Sequence, residues 1–202
     1  AAHAHAPWAS RAWRYWQPDY IQKANLTLHE WFEPQRRHAA AVTKRYIRFN
    51  AAMEQRAACA HPIADNSLGM HIRHGDKWTS RYLVAVSDYR PYCEAFVDNG
   101  GGAIYLATDS GLVVDEIMRE WPERVSSRIV RQPAVQGLSR NKSAAFDLGV
   151  STHRTNVEAL IDARALSKCT YLLHGLSALS EAALFMNHGL TERAVNVEDE
   201  GH

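Results

Sequence analysis

Leu68-Gly69-Met70-His71-Ile72 is a short apolar run, and it breaks at once into Arg73-His74-Gly75-Asp76-Lys77. A buried strand that ends in imidazole, guanidinium, carboxylate and ammonium groups restricts the fold more than any other stretch of the chain. So many ionisable groups beside a core are costly unless something engages them. In open α/β sheets ligands bind outside the carboxyl ends of the strands, which is where these groups fall. The residues suit an anion site with Arg73 gripping phosphate. The plainer alternative is a polar loop carrying a few surface ion pairs.

The rest of the chain repeats the pattern of apolar run and polar exit. Ala103-Ile104-Tyr105-Leu106-Ala107 reads as a second strand buried on both faces, ending at Thr108-Asp109-Ser110. Ser127 to Val130, Tyr171-Leu172-Leu173 and Ala194 to Val197 read as the third, fourth and fifth strands. Helical spacing separates them: a helix capped by Ser87-Asp88 through Tyr92, Phe96 and Val97, and another over Leu112, Val113, Ile117 and Trp121. Further helices run from Val157 to Ser167 and from Ser177 to Asn187, closed by Gly189. Asp109 suits a helix N-cap. Gln132 to Thr155 has weak periodicity and reads as a long functional loop. Strands alternating with helices predict an α/β domain over 61–202, a doubly wound parallel sheet. With strand order 3-2-1-4-5, the first and fourth strands are neighbours at the switch point, and the Arg73 loop faces the Gly175–Ser177 loop across one crevice.

Residues 1–60 form a helical and aromatic appendage. Trp8, Trp13, Tyr15, Trp16 and Tyr20 crowd its start, where aromatics cover a neighbouring surface or, interleaved with Arg11 and Arg14, stack bases. From Pro34, as a first-turn proline, to about Cys59 the spacing of Ala39, Val42, Tyr46, Phe49 and Met53 predicts one amphipathic helix. A net charge of +1 over 202 residues, without a dense basic tract, argues against a nucleic-acid partner. Three widely spaced cysteines indicate neither a disulfide framework nor a zinc knuckle, and Cys169 reads as a small core residue. No apolar run approaches the ~18 residues that span a bilayer. The start does not read as a signal peptide, and the chain is expected to be a fragment or a processed piece. Sequons at Asn25 and Asn141 lend slight support to a secretory lumen.

Three blocks resemble a known family. His71-Ile72-Arg73-His74-Gly75-Asp76-Lys77 resembles the first motif of α1,6-fucosyltransferases and nodulation fucosyltransferases, and the strand ending in Ala107-Thr108-Asp109 resembles their second. Ala159 to Leu173, with Asp162 on a helix followed by Leu166-Ser167 and an apolar strand, is similar to their third; Ser177 and Glu181-Ala182-Ala183 fit as well. The resemblance implies a Rossmann-like donor domain, the C-terminal half of a GT-B fold, in a metal-independent inverting fucosyltransferase. It implies GDP-fucose as donor, a glycan acceptor, no cofactor or metal, and a Golgi or secretory-pathway lumen, with membrane attachment only through a segment missing from this chain. By that analogy Arg73 binds the diphosphate, His71 and Asp162 contact guanosine, and Ser177 helps hold the diphosphate with Lys77 nearby. Without a metal, the charge developing on the leaving diphosphate needs a fixed cation, and a guanidinium fork suits it. The family's second arginine is His74 here, and Trp78-Thr79-Ser80-Arg81 stand where it carries an acid. His74 or Asp76 is then the nearest general base. Sixty residues ahead of the motif are too few for an acceptor domain.

Arg73-His74-Gly75 also resembles the histidine phosphatases, with His174-Gly175 as a second histidine, which implies a phosphomonoesterase. That reading leaves the Asp162 block unexplained. A non-catalytic nucleotide-sugar-binding module is a further alternative. A metal site from His71, His74 and Asp76 fits poorly, because alternate residues of a strand point to opposite faces.

Overall fold

The structure, a computed structural model, describes residues 28–60, 65–75, 84–132, 138–139, 149 and 151–200. Asp76, Lys77, residues 78–81, the aromatic stretch 8–20 and both sequons lie outside the described residues. The elements in order are α1 (Leu28–Tyr46), α2 (Ala51–Ala60), β1 (Leu68–Ile72), α3 (Val86–Asp98), β2 (Ile104–Thr108), α4 (Gly111–Glu120), α5 (Glu123–Ser126) and β3 (Ile129–Val130). Then come α6 (Thr152–Leu166), β4 (Tyr171–His174), α7 (Ala178–Met186), a 3-10 turn (His188–Arg193), β5 (Ala194–Asn196) and α8 (Val197–Glu200).

The five strands form one all-parallel sheet of order β3-β2-β1-β4-β5, as the sequence predicts. The reversal of direction falls between β1 and β4, with Leu68 opposite Tyr171 and His71 opposite His174. Strand alternation divides the core. Leu68, Met70, Ile72, Ile104, Leu106 and Leu173 face α3 and α4 with Tyr89, Cys93, Val113 and Ile117. Tyr105, Ala107 and Leu172 face α6 and α7 with Ile161, Leu166, Ala183 and Leu184. Because β1 has Gly69 in register with Tyr105, His71 must lie on this second face. Cys169 is buried here, its thiol pushed up to about 12 by burial, as befits a small core residue.

Several local expectations need correction. The stretch from Pro34 to Cys59 is two helices, broken at residues 47–50, and Pro34 sits inside α1 rather than in its first turn. The expected apolar stripe is not the buried one either. Val42 and Tyr46 are exposed, whereas Phe32 and Arg36 face the body of the protein. Arg36 is held by Glu181 of α7 through Nε and Nη2, at 2.8 and 2.6 Å. Glu54 of α2 likewise binds Arg164 and Lys168, at 2.9 Å each, and Ala57 and Ala60 join the second core. α2 therefore shares a core with the sheet, and α1 is tied to α7 through the Arg36–Glu181 pair.

At α3 the N-cap is Ala85; Asp88 instead sits in the first turn and accepts from the Ala85 N–H at 3.1 Å. The helix before β4 starts at Thr152, inside the segment read as loop. Val197 leaves β5 to open α8. Gly189 lies within the 3-10 turn rather than closing α7. No helix among the described residues is long and apolar enough to cross a membrane.

Candidate functional site

Two loops leave the carboxyl ends of the adjacent central strands: Arg73–Gly75 from β1 and Gly175–Ser177 from β4. Ser177, expected to hold phosphate, is the N-cap of α7, its Oγ accepting from Leu179 N–H at 3.4 Å. The first-turn amides of a helix have no partners further back in the chain, so the end of α7 beside β1 offers donors and a positive dipole end. Arg73 is exposed at the exit of β1, its Nε 3.8 Å from Asp109 Oδ2. The structure thus brings Arg73 and Ser177 to neighbouring strand exits.

Each loop is held by a carboxylate from another element. Asp109, at the exit of β2, accepts on Oδ1 from the backbone N–H groups of His74 (2.9 Å) and Gly75 (3.0 Å). That is not the N-cap role expected for Asp109; Ser110 occupies the cap of α4. A Cβ on Gly75 would lie 2.5 Å from Asp109 Oδ2, so only glycine lets the carboxylate come this close. Glu198 of α8 does the same for the second loop. Its Oε1 accepts from Leu176 N–H at 2.9 Å and would sit 2.5 Å from a Cβ on Gly175.

His74 is anchored at both ends. Its backbone is fixed by Asp109, and its ring Nε2 is 2.8 Å from the Val84 carbonyl. A carbonyl only accepts, so Nε2 carries the proton and, in the neutral ring, Nδ1 keeps the lone pair. His71 is buried beneath the loops, with Nδ1 2.6 Å from Ser180 Oγ of α7; that hydroxyl also lies 3.4 Å from the Gly175 carbonyl. His71 and His74 therefore point to different partners, and neither is shared with the other.

Asp162 lies on the same side of the sheet as His71, in the layer between α6 and β2. It is buried, and its Oδ1 accepts from Tyr105 Oη at 2.6 Å and from Gln132 Nε2 at 3.0 Å. Both bonds fall on Oδ1, and no described residue donates to Oδ2. Burial raises the carboxyl to about 6, outweighing the two hydrogen bonds, which lower it. α6 runs back toward the amino end of β4, so Asp162 sits about 15 Å along it from Thr152, at 1.5 Å per residue. The structure places Asp162 on the face of His71 and Ser177 but gives it no direct contact with Arg73. The candidate residues thus fall into two groups, His71 and Asp162 under α6 and α7, and Arg73, His74 and Ser177 at the strand exits.

His174, the second imidazole of the phosphatase reading, is buried with Nδ1 donating to the Gly175 carbonyl at 3.0 Å. Burial lowers its basicity. It lines the core under α7 rather than standing opposite His74, which weighs against a pair of imidazoles acting on one phosphate. Among the described residues no three His, Cys, Asp or Glu side chains gather as a metal site.

Sequence reasoning missed Glu198, Tyr105, Gln132 and Ser180. Tyr105 carried a signal, since a tyrosine inside a fully buried strand needs a partner for its hydroxyl. Glu198 carried one too, as an acid just past a strand exit, the place Asp109 also holds. Gln132 and Ser180 had none. Comparison with protein-family models and with curated proteins finds no match to this chain.

Proposed function

We propose that the chain is the donor-binding domain of a metal-independent inverting fucosyltransferase, taking GDP-fucose and serving a glycan acceptor. One observation carries the reading: Arg73 and the Ser177 cap stand at the exits of β1 and β4, the two strands at which the sheet order reverses. A diphosphate laid across that point meets a guanidinium on one side and helix amides on the other. Arg73 would then offset the charge that grows on the departing diphosphate, the task a metal ion performs elsewhere. Lys77 joins it as a second cation in this reading.

The guanine end rests on Asp162 and His71. With Oδ1 occupied by Tyr105 and Gln132, Oδ2 is the oxygen available to the adjacent N–H donors of guanine. Adenine presents no such pair of donors, so this carboxylate favours GDP. For transfer, His74 is the better-supported base: the Val84 carbonyl fixes its proton on Nε2 and leaves Nδ1 to accept the proton of an acceptor hydroxyl. Asp76 is the other choice. An acceptor domain beyond this chain, and residence in the Golgi or secretory lumen as a glycoprotein enzyme, belong to the same proposal.

The direct test is transfer itself. The chain with its full-length flanking sequence is incubated with GDP-fucose and an N-glycan mixture in EDTA, and released GDP is measured. Acceptor-dependent release, lost in Arg73→Ala, is the expected result. Release of inorganic phosphate from p-nitrophenyl phosphate with no GDP release would replace this reading by the phosphomonoesterase.

A further inference from the structure

Glu198 is a buried carboxylate beside Gly175, Leu176 and Tyr89. Burying an anion there is costly unless it satisfies donors. It takes the Leu176 N–H at 2.9 Å, and its own N–H donates to Asn196 Oδ1 at 3.1 Å, which fixes the turn from β5 into α8. Gly175 is packed against the same carboxylate, where a Cβ would meet Glu198 Oε1 at 2.5 Å and Tyr89 Oη at 3.3 Å. Burial and the Glu198 charge together push the Tyr89 hydroxyl upward, so it stays neutral.

We infer that Glu198 is a positioning residue for the β4 exit loop: by drawing Leu176 N–H inward it sets the Ser177 cap and the first turn of α7 toward the diphosphate. The inference rests on the nucleotide reading above and adds a residue that touches no ligand. The matching geometry at the β1 exit supports it. There Asp109 takes two backbone N–H groups and fills the space left by Gly75, so both phosphate-facing loops are built as glycine plus carboxylate. In each case the acid comes from the strand, or the helix after the strand, at the next position outward in the sheet. Leu176, pinned, ties the loop to β5 and α8 as well as to its own strand. Unpinned at Leu176, the loop would still keep the Oγ–amide contact of Ser177, the Ser177 carbonyl bond to Glu181 N–H and the His174 and Ser180 contacts to the Gly175 carbonyl.

The test uses the chain as it stands, with three variants. Glu198→Gln keeps an oxygen acceptor for Leu176 N–H; Glu198→Ala removes it; Glu198→Ala with Gly175→Ala asks whether the glycine is there for the carboxylate. Amide hydrogen exchange reports the loop without any ligand, and calorimetric titration with GDP and with guanosine reports the site. Expected is loss of Leu176 protection in Glu198→Ala, with Met70 and Leu106 unchanged and Glu198→Gln close to wild type. GDP should weaken about ten-fold or more in Glu198→Ala, the loss of one charge-assisted contact, while guanosine stays within about two-fold. Gly175→Ala should be harmful in the wild-type background and nearly neutral beside Glu198→Ala.

Unchanged Leu176 exchange in Glu198→Ala overturns the inference whatever GDP does. Lost protection with equal GDP affinity, or an equal loss for guanosine, overturns it too. Wild-type protein that binds no GDP overturns the nucleotide reading and the inference with it, and leaves a distinct signature because every variant then fails alike.

Discussion

At the scale of single residues, the proposed function gives Arg73 the diphosphate and Asp162 the guanine. Arg73 is exposed at the exit of β1, with its Nε 3.8 Å from Asp109 Oδ2. Arg73→Ala should cost about 1.5–3 kcal/mol of GDP binding, the value of a hydrogen bond to a charged group, or roughly ten- to 150-fold in Kd. Titration calorimetry reads this directly, and unchanged affinity would remove Arg73 from the phosphate site. Asp162 gives a pH signature instead. Its carboxyl titrates near 6 in the folded protein, above the ~3.9 of an unfolded aspartate. Between those values the folded state binds more protons, so stability from this group falls as pH rises through about 4 to 6 and stays lost at pH 7. The Tm difference between pH 5 and pH 7 should therefore shrink in Asp162→Asn. Preference for GDP over ADP should move the opposite way in the wild type, weakening from pH 7 to pH 5 as the carboxylate takes up its proton. A pH-independent preference would exclude Asp162 from guanine recognition.

At the scale of elements, α1 and α7 are joined by a buried ion pair. The Arg36 and Glu181 side chains are 5% and 13% exposed and meet through two bonds. Removing one partner strands the other. Glu181→Ala should destabilise by about 3–5 kcal/mol in urea denaturation, whereas Arg36→Met with Glu181→Leu should cost far less or nothing. Equal losses in both would mean that packing, not the stranded charge, sets the cost. This pair also explains why the apolar stripe expected for α1 is not the buried one. A helical period is visible in Ala39, Val42, Tyr46, Phe49 and Met53, but which stripe turns inward depends on a partner 145 residues away. β1, β2 and β4 were legible because both faces of a central parallel strand are apolar, which leaves an unbroken run. Their order was legible because few parallel arrangements satisfy right-handed crossovers. Asp109 stands at the expected strand exit but binds the His74 and Gly75 amides, since an N-cap and a clamp on a neighbouring loop look the same in sequence.

At the scale of the whole molecule, the sheet supplies a reversal point and the loops supply its chemistry. His71, Arg73, His74, Asp162 and Ser177 stand out in the sequence as candidate site residues; the structure places His71 and Asp162 buried on the α6 and α7 side and Arg73, His74 and Ser177 at the strand exits. What remained hidden was the supporting set, Tyr105 with Gln132 and Glu198 with Gly175, because it depends on contacts between elements far apart in sequence. The proposed site has a phosphate half that works without a metal and a base half that reads guanine. Both are tested at once by titrating the chain with GDP, ADP and UDP in EDTA at pH 7.5. GDP binding tighter than both others, and unaltered by added Mg²⁺, is the predicted result; equal affinity for GDP and ADP, or binding of GDP only when Mg²⁺ is supplied, would contradict it.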